Sequence, residues 1–395
     1  MAPQLILLLN CGSSSIKYQL LDAASELPQA VGIVQRIGLA DGTLDHEVGD
    51  DEFHLDRPFA DHTEAVQAVV EMFNEHGPSL AGVMAVGHRT VHGGLEFVEP
   101  VRIDDAVVAK LREQFDLAPL HNPPSVAGIQ AALQVLPDVP HVAIFDTAFF
   151  STLPAEAYTY AIDKQVAAKY TVRKFGFHGT SHQYVSQKAA EFVGKPVEEL
   201  KTIVCHLGNG ASISAVDGGV AVETSMGLTP LQGLVMGTRS GDVDPGLHKY
   251  LAGKGMSLDE IDTMLNKKSG LTGLCGSPDM RDVNAMEKAG DEDAILAKAV
   301  YVHRLVSYIG SYWALMGGLD VLVFTAGVGE NADHVRGPVI ERLAPLGFTL
   351  DETANTTRSK DSREISTPES KVRVLVIPTN EELAMARETL RVIGA

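Results

Sequence analysis

The sequence predicts an α/β protein in which one fold is duplicated, and the first reason is a pattern that occurs in both halves of the chain. Residues 5–9 form an apolar run that stops at a turn rich in Gly and Ser and resumes as an alternating strand from Ile16. Residues 203–206 lead in the same way into a turn at 207–212 and a second strand. Each pattern is typical of a β-hairpin whose turn exposes backbone N–H groups and hydroxyls, and such a turn can hold an anion. The pair favours a duplicated fold holding one polyphosphate over two unrelated hairpins.

The alternation of strand and helix patterns along the chain is the second reason. Helical periodicity places apolar side chains on one face between residues 126 and 136, behind a predicted helix cap at Ser125. Helical patterns lie between short β-branched runs, which predict strands covered on both faces, and such alternation is typical of α/β layers. These runs are 83–86, 142–145, 203–205, 321–324 and 374–377.

Composition limits the class of partner. The 395 residues suffice for two or three domains, and the formal net charge of −19 argues against nucleic acid or an anionic membrane as a partner. An anionic substrate therefore requires a local cluster of cations. Three cysteines are too few and too scattered for a disulfide framework or a zinc site. The first apolar run is too short for a signal peptide, and the long hydrophobic region at 295–324 is interrupted by charges. We therefore expect a cytoplasmic protein.

Polar residues follow several predicted strands at the point where each apolar run stops. Asn10, Asp146 and His206 occupy such positions, and a Gly-x-Gly-Glu-Asn loop at 327–331 follows the strand that ends before Thr325. In open α/β sheets, ligands bind beyond the carboxyl ends of the strands. A glycine-rich loop before a helix lets the backbone approach a flat or anionic group closely. No Walker motif and no protein-kinase signature is present.

Four cationic or potentially cationic residues lie in glycine- or proline-rich turns: Arg89, His121, His178 and Arg239, the last in a long loop at 226–246. Each alone is more often a solvated or structural residue. Their shared setting in an acidic protein indicates a site for anions.

Two neighbouring glutamates near the C-terminus receive different predictions. If Thr379 caps the last helix, Glu382 is its third residue and completes a capping box. Glu381 then has no local role and is available to a cleft. With Asn10 and Asp146 it provides a sparse set of oxygen ligands suited to Mg²⁺.

A series of motifs in fixed order resembles the acetate kinase family, within the superfamily that sugar kinases and actin-like ATPases share. The resemblance covers essentially the whole chain. The motifs are Asn-x-Gly-Ser-Ser-Ser-x-Lys at 10–17, His-Arg-x-Val-His-Gly-Gly at 88–94, Pro-Leu-His-Asn-Pro at 119–123, Phe-Asp-Thr-Ala-Phe at 145–149, Gly-Phe-His-Gly-Thr-Ser-His at 176–182, His-Leu-Gly-Asn-Gly at 206–210, Met-Gly-x-Thr-Pro-Leu-x-Gly at 226–233, Arg-Ser-Gly-Asp at 239–242 and Gly-x-Gly-Glu-Asn at 327–331.

The resemblance implies two duplicated actin-like ATPase (ribonuclease H-like) domains flanking an active-site cleft. The first domain is expected at 1–148 plus 382–395. The second is expected at 149–381 and carries the nucleotide-binding loops and the homodimer interface.

The resemblance also implies the activity: reversible, Mg²⁺-dependent transfer of the γ-phosphoryl group of ATP to acetate, giving acetyl phosphate and ADP, with Mn²⁺ as a substitute metal. Arg89 and Arg239 would clamp the acetate carboxylate and the transferring phosphoryl group, and His178 would stabilise the transition state. The implied catalytic residues are Asp146, His178, Arg239 and His121. Arg89, Val91, Leu120, Phe177 and Pro230 would bind acetate, and Asn10 and Glu381 the metal. The implied ATP-binding residues are Lys17, His206, Leu207, Gly208, Asn209, Gly210, Asp279, Met280, Arg281, Gly327, Val328, Gly329, Glu330 and Asn331.

The chemistry agrees with these assignments, because a carboxylate nucleophile is already ionised at neutral pH and needs no strong base. Fixed positive charge and positioning must instead offset the repulsion between two anions. Two alternatives stay open. A propionate or other short-chain fatty-acid kinase would share the site, whereas a nucleotide-driven clamp such as an actin-like or chaperone ATPase would not need the acceptor cations.

Overall fold

The computed structural model describes residues 4–119 and 121–395, which form two compact units. Unit 1 extends to Ser151 and includes Asn380–Ala395, and unit 2 is Thr152–Thr379. The chain passes from one unit to the other within a few residues of the predicted positions, 148/149 and 381/382. Glu381 lies in unit 1, whereas the predicted boundary placed it in the second domain.

Unit 1 contains a sheet of eight strands and three helices before the chain enters unit 2. The strands are β1 (Leu5–Cys11), β2 (Ser15–Asp22), β3 (Leu27–Gln35), β4 (Thr43–Val48), β5 (Asp51–Asp56), β6 (Val83–Thr90), β7 (Val101–Arg102) and β8 (His141–Phe145). The helices are α1 (His62–His76), α2 (Asp105–Glu113) and α3 (Asn122–Val135).

Unit 2 contains a sheet of six strands with helices before, between and after them. The strands are β9 (Lys201–Leu207), β10 (Ala211–Asp217), β11 (Val220–Thr224), β12 (Val321–Thr325), β13 (Arg363–Glu364) and β14 (Arg373–Val376). The helices are α4 (Ala155–Tyr158), α5 (Lys164–Tyr170), α6 (Gly179–Val193), α7 (Gly246–Ala252), α8 (Leu258–Lys267), α9 (Gly270–Cys275), α10 (Met280–Lys288), α11 (Glu292–Leu315), α12 (Ala326–Asn331), α13 (Asp333–Leu343) and α14 (Glu352–Thr356).

The last helix, α15 (Glu381–Ile393), belongs to unit 1. Short 3₁₀ helices occur at Leu80–Gly82, Phe115–Leu117, Ala148–Thr152, Val197–Glu199 and Ala344–Leu346. Among residues 4–119 and 121–395, no helix has both the length and the apolar composition needed to cross a lipid bilayer.

The two sheets share one topology, which confirms the predicted α/β class and its duplication. Their common order is β3-β2-β1-β6-β8 in unit 1 and β11-β10-β9-β12-β14 in unit 2. In each sheet an antiparallel hairpin adjoins parallel strands. Every residue of β8 and β12 is buried, because layers cover both faces of these strands.

Both predicted hairpins are present. The β1–β2 ladder pairs Asn10 with Lys17, and the amide of Gly12 donates a hydrogen bond to the Ser15 carbonyl oxygen at 2.8 Å. The β9–β10 ladder closes at the pair Leu207 and Ala211, leaving a three-residue loop at 208–210. Each hairpin therefore places its Gly-rich turn at the carboxyl end of the sheet's first parallel strand, where a ligand site is expected.

Two predicted helix caps are wrong. Helix α3 begins at Asn122, before Pro123 and Pro124, which are pre-organised for the first turn of a helix. Ser125 therefore lies inside the helix, and its hydroxyl donates to the His121 carbonyl oxygen at 3.0 Å.

The Gly-x-Gly-Glu-Asn segment at 327–331 also differs from the prediction, because it is part of the short helix α12 and not a loop before a helix.

The second incorrect cap is at α15. Asn380 is its N-cap, and the Asn380 side chain accepts a hydrogen bond from the amide of Leu383 at 2.9 Å. The Thr379 hydroxyl is 2.8 Å from the Ser181 hydroxyl instead. The predicted capping box between Thr379 and Glu382 therefore does not form, because asparagine is at least as good an N-cap and the threonine is engaged elsewhere.

Candidate active site

An ion-pair cluster lies at the carboxyl ends of two neighbouring parallel strands of unit 1. Arg89 is in β6 and Asp146 directly follows β8, and the register pairs Arg89 with Ile144. Nε and Nη2 of Arg89 donate to the two carboxylate oxygens of Asp146 at 3.0 and 2.8 Å. This bidentate geometry fixes the guanidinium plane, and Asp146 is only 2% exposed.

Glu381 adds a second carboxylate to this cluster. As the first residue of α15, it places Oε2 at 3.7 Å from Nη2 of Arg89. Burial raises the pKa of Glu381 above its usual range, the Asp146 and Glu382 charges raise it further, and Arg89 opposes the shift. The pKa of Arg89 is raised, chiefly by Asp146. One guanidinium thus serves a buried and a half-buried carboxyl group, and a further cation would stabilise the site.

A small cavity of about 60 Å³ borders this cluster, and its polar lining is Asn10, Lys17, Gln19, Arg89, Glu381 and Glu382. The β1–β2 register places Lys17 directly opposite Asn10. Within the described residues, no group of three or more His, Cys, Asp or Glu side chains is arranged to hold a metal ion. The Asn10 amide oxygen and the Glu381 carboxylate fit a metal that keeps most of its water ligands, as Mg²⁺ does.

The loop after β6 is tied to the start of α3. The amide of His92 donates to Oδ1 of Asn122 at 3.2 Å, and Nδ2 of Asn122 donates to the His92 carbonyl oxygen at 3.0 Å. These bonds bring half-buried Val91 and the N-cap residue His121 into one region of unit 1. Leu120, also predicted at the acceptor site, lies outside the described residues.

Two stacked histidines form the centre of the unit 2 site. His178 precedes α6 with φ of 60°, a left-handed conformation that is uncommon for residues other than glycine and often found at functional sites. Its ring stacks on His206, at the end of β9, with centroids 4.4 Å apart and an angle of 21°. Phe177 is 2% exposed and therefore contributes more to the core than to an open surface.

Arg239 borders the same hairpin loop. A Cβ placed on Gly210 would lie 3.3 Å from Nη1 of Arg239 and 3.7 Å from Nε2 of His178. Nη1 of Arg239 donates to the carbonyl oxygen of Pro230 at 3.2 Å, and burial lowers the Arg239 pKa. No carboxylate of the described chain lies within 4.0 Å of this guanidinium. Its charge is therefore available to an anion beside the glycine loop.

A cavity of about 1120 Å³ in unit 2 joins eight of the predicted ATP-binding residues. They are Gly208, Asn209, Asp279, Met280, Arg281, Gly327, Val328 and Asn331. Asp279 caps α10, and its hydrogen bonds with Arg281 hold the pKa of its carboxyl down at about 2. Asn284, Lys288, Tyr301 and Arg358 also line the cavity and were not predicted.

The remaining predicted ATP-binding residues do not line this cavity. Leu207 is buried in β9, and Gly329 is buried in α12. Glu330 accepts a hydrogen bond from the amide of Thr379 at 3.2 Å, so it links α12 to the segment before α15. His206 and Gly210 lie on the histidine side of the loop, and Lys17 belongs to unit 1.

Sequence reasoning missed a set of buried polar residues behind His178: Ser181, His182, Ser212 and Ser214. A signal for two of them was available. Ser212 and Ser214 are two residues apart in β10 and therefore share one face, and the other residues of the strand are apolar up to Asp217 at its end. Hydroxyls at two such positions in a buried strand need partners.

Two α/β units of one topology, with Gly-rich hairpin turns and a nucleotide-sized cavity, are typical of the actin-like ATPase fold, and the similar solved structures of acetate and propionate kinases place this chain among the kinases of that fold. The family model described as the Acetokinase family matches residues 5–387, and the chain belongs to that family.

Curated and structural relatives agree with this membership. The acetate kinase of Clavibacter sepedonicus is 52% identical over 392 residues, covering 98% of this chain and 99% of the relative. The crystal structure of Porphyromonas gingivalis acetate kinase matches with a TM-score of 0.95 and 43% identity, covering 99% of this chain and 100% of that one. A propionate kinase from Francisella tularensis subsp. tularensis SCHU S4 matches with a TM-score of 0.92 and 40% identity, covering 98% and 99%.

Proposed function

We propose that this protein is an acetate kinase, which transfers the γ-phosphoryl group of ATP to acetate and gives acetyl phosphate and ADP, reversibly. The observation that carries the proposal is the placement of the loop 208–210. Gly208 and Asn209 line the large cavity, while Gly210 faces Arg239 and His178. A nucleoside in the cavity would thus direct its phosphate chain along the loop toward an unpaired guanidinium and an imidazole.

The size and lining of the cavity suit a nucleoside. Its volume of about 1120 Å³ is comparable to that of small-molecule sites in general. Lys288, Arg281 and Arg358 add positive charge to its wall, and backbone N–H groups of a glycine turn are good phosphate donors. ATP or ADP is therefore the proposed occupant.

The proposed mechanism depends on charge and position. Acetate is ionised at neutral pH, so no base is required. Arg239 and His178 face the place where charge develops on the phosphoryl group, and fixed donors there lower the barrier. Asp146 is already bonded bidentately to Arg89. Its proposed role is therefore to orient that guanidinium toward the acetate carboxylate, and not to remove a proton. His121, at the N-cap of α3, is the further proposed catalytic residue.

Asn10 and Glu381 are the proposed Mg²⁺ ligands. A metal ion held by these two residues would supply positive charge to offset that of the phosphate oxygens. The ligand set supports the proposal, because Glu381 is a crowded carboxyl group whose ionisation a cation would favour. Oxygen ligands of this kind also suit Mn²⁺, which we propose as a substitute metal.

Acetate is the proposed acceptor, and Val91, which is half-buried in unit 1, is the proposed contact of its methyl group. Propionate is the alternative acceptor, and the similarity to a solved propionate kinase supports it. The curated relatives with about half of their residues identical are named acetate kinases, which favours acetate.

A hydroxamate assay for acyl phosphate distinguishes these possibilities. The full-length protein is incubated with ATP and Mg²⁺, and with acetate, propionate, butyrate or no acid. Acyl phosphate formed fastest from acetate supports the proposal, and a preference for propionate supports the alternative acceptor. Hydrolysis of ATP without acyl phosphate in any arm would indicate a nucleotide-driven clamp and overturn the proposal.

We also propose that the protein is cytoplasmic and forms a homodimer through unit 2, with neither nucleic acid nor membrane as a partner. The net charge of −19 supports the last two exclusions. Light scattering coupled to size-exclusion chromatography tests the oligomeric state, and a single species at 42.2 kDa would contradict the dimer.

A further inference from the structure

A chain of buried hydroxyl and imidazole groups leads to His178 from the interior of unit 2. Oγ of Ser214 is 2.7 Å from Nδ1 of His182, and Nε2 of His182 is 2.7 Å from Oγ of Ser212. Oγ of Ser212 is in turn 2.9 Å from Nδ1 of His178. Ser212, Ser214 and His182 are completely buried. We call these four residues the histidine–serine relay.

The two elements that carry the relay explain its geometry. Ser212 and Ser214 are two residues apart in β10 and therefore point to the same face of the sheet. His178 and His182 are four residues apart at the start of α6, so they lie on one face of the helix. The helix thus places both rings over the same pair of hydroxyls.

Counting protons shows that the tautomers of the two histidines are coupled. Burial lowers the pKa of His182 well below its usual range, so His182 is neutral and has one N–H group. If His182 donates from Nε2 to Ser212, the Ser212 proton is left to donate to Nδ1 of His178, and a neutral His178 that accepts it has its proton on Nε2. If His182 instead accepts at Nε2 from Ser212, then Nδ1 of His178 must donate to that hydroxyl.

We propose that His182 is a positioning residue that acts through Ser212 to hold neutral His178 in the tautomer with its proton on Nε2. The placement of Nε2 favours this arrangement, because a Cβ on Gly210 would lie 3.7 Å from it and 3.3 Å from Arg239. A donor is needed on that side if an anion binds beside the loop. Because Arg239 already supplies a positive charge, a neutral donor adds a hydrogen bond without a second buried charge.

The relay also explains how the ring is oriented. The hydrogen bond to Ser212 holds Nδ1 toward the sheet, and the stacking on His206 fixes the plane of the ring. His206 is itself held by Ser181, whose Oγ is 2.8 Å from its Nδ1. The catalytic consequence of this arrangement rests on the proposed function, whereas the tautomer does not.

Long-range ¹H–¹⁵N spectroscopy of the full-length protein, labelled at histidine and without ligand, measures the tautomers directly. Signals are assigned with the variants His178→Gln and His182→Gln. At a pH where both rings are neutral, we expect both histidines in the Nε2–H form. A neutral His178 with its proton on Nδ1 would overturn the proposal, and this measurement on the wild type needs no folded variant.

Ser212→Ala tests the coupling, and Ser186→Ala is the matched control. Ser186 lies in α6 and is 1% exposed, but its hydroxyl donates to the Gln183 carbonyl oxygen and is not part of the relay. We expect Ser212→Ala to convert His178 into a mixture of tautomers and to lower kcat by about tenfold, the lower end of the effect that loss of such a partner has on histidines that bind metals. The KM for ATP should be unchanged in Ser212→Ala. The Ser186→Ala variant should keep the wild-type tautomer of His178 and the wild-type kcat.

Measuring the tautomer of His178 and measuring acyl phosphate test two separate claims, the positioning of His178 and the proposed function. If His178 keeps one tautomer in Ser212→Ala, the relay does not set it and the proposal is wrong, even if activity falls. If the wild type makes no acyl phosphate but shows the expected coupled tautomers, the proposed function fails and the positioning of His178 by His182 stands.

Discussion

Replacing Arg89 by alanine should destabilise unit 1 far more than loss of an ordinary ion pair. The change removes both hydrogen bonds to Asp146, which is 2% exposed, and the guanidinium 3.7 Å from Glu381. Breaking a buried pair from one side leaves an uncompensated charge and costs about 3–5 kcal/mol. We therefore expect Arg89→Ala to lower the free energy of unfolding by that amount at pH 8 and to abolish activity.

The loss of unfolding free energy in Arg89→Ala should depend on pH. Without Arg89, Glu381 loses the cation that opposes the rise of its pKa caused by burial, so its folded-state pKa lies further above that of the unfolded chain. A carboxyl group with a raised pKa supplies stability at low pH that is lost as the pH rises through the folded-state value. The deficit of Arg89→Ala should therefore be large at pH 8 and shrink as the pH falls toward the usual carboxyl range.

Urea unfolding followed by far-UV circular dichroism measures the deficit, because the single tryptophan, Trp313, lies in unit 2 and does not report on unit 1. Arg57→Ala is the control: its pair with Glu71 at 2.9 Å joins side chains 39% and 52% exposed, so its loss should cost about 0–1 kcal/mol. The double variant Arg89→Ala/Asp146→Ala should recover part of the stability, since one stranded charge is gone. A deficit for Arg89→Ala no larger than that of the control, or a double variant less stable than the single, would refute the reasoning.

Three further outcomes are expected. Glu381→Gln should raise the melting temperature at pH 8 without metal, because it removes a carboxylate whose raised pKa makes ionisation costly. The same change should abolish activity and the rise in melting temperature that Mg²⁺ produces. Glu382→Gln should retain both, and the opposite pattern would assign the metal to Glu382. Gly327→Ala should raise the KM for ATP severalfold, because the methyl group enters space beside the cavity. The control Gly310→Ala, at an equally open helix position, should only stabilise α11, by about 0.5–1 kcal/mol. An unchanged KM for ATP in Gly327→Ala would remove Gly327 from the site. Val91→Ala should raise the ratio of kcat/KM for propionate to that for acetate, within the roughly 10–200-fold that one methylene is worth, and an unchanged ratio would place Val91 outside the pocket.

The strands and hairpins could be predicted from the sequence because their signals are local. β-branched runs and Gly-rich turns specify strand and turn wherever they occur, and both hairpins formed at the predicted residues. The cap of α15 could not be resolved in this way, because Thr379 and Asn380 are both good N-caps. The hydroxyl contact between Thr379 and Ser181, which are far apart in sequence, leaves Asn380 as the cap.

The partners of the site residues were less predictable, since they depend on strand order and register. The pairing of Arg89 with Asp146 follows from the adjacency of β6 and β8, which are separated in sequence by β7 and two helices. The relay behind His178 requires the registry of α6 over β10, although two serines alternating in an apolar strand were a usable sign of it. The motif glycines, in contrast, identified the loop at 208–210 directly.

The two arginines of the proposed mechanism differ in how much of their charge a ligand can use. Arg89 is bound bidentately by Asp146 and lies near Glu381, so its orientation is fixed while its charge is already balanced. Arg239 contacts a carbonyl oxygen, and within the described chain no carboxylate lies within ion-pair distance. In a protein with a net charge of −19, an unpaired and half-buried guanidinium is costly unless an anion occupies its site for part of the time. We therefore expect Arg239 to contribute uncompensated charge to anion binding and transition-state stabilisation, and Arg89 to contribute orientation. Replacing Arg89 or Arg239 by a neutral residue should therefore produce different defects.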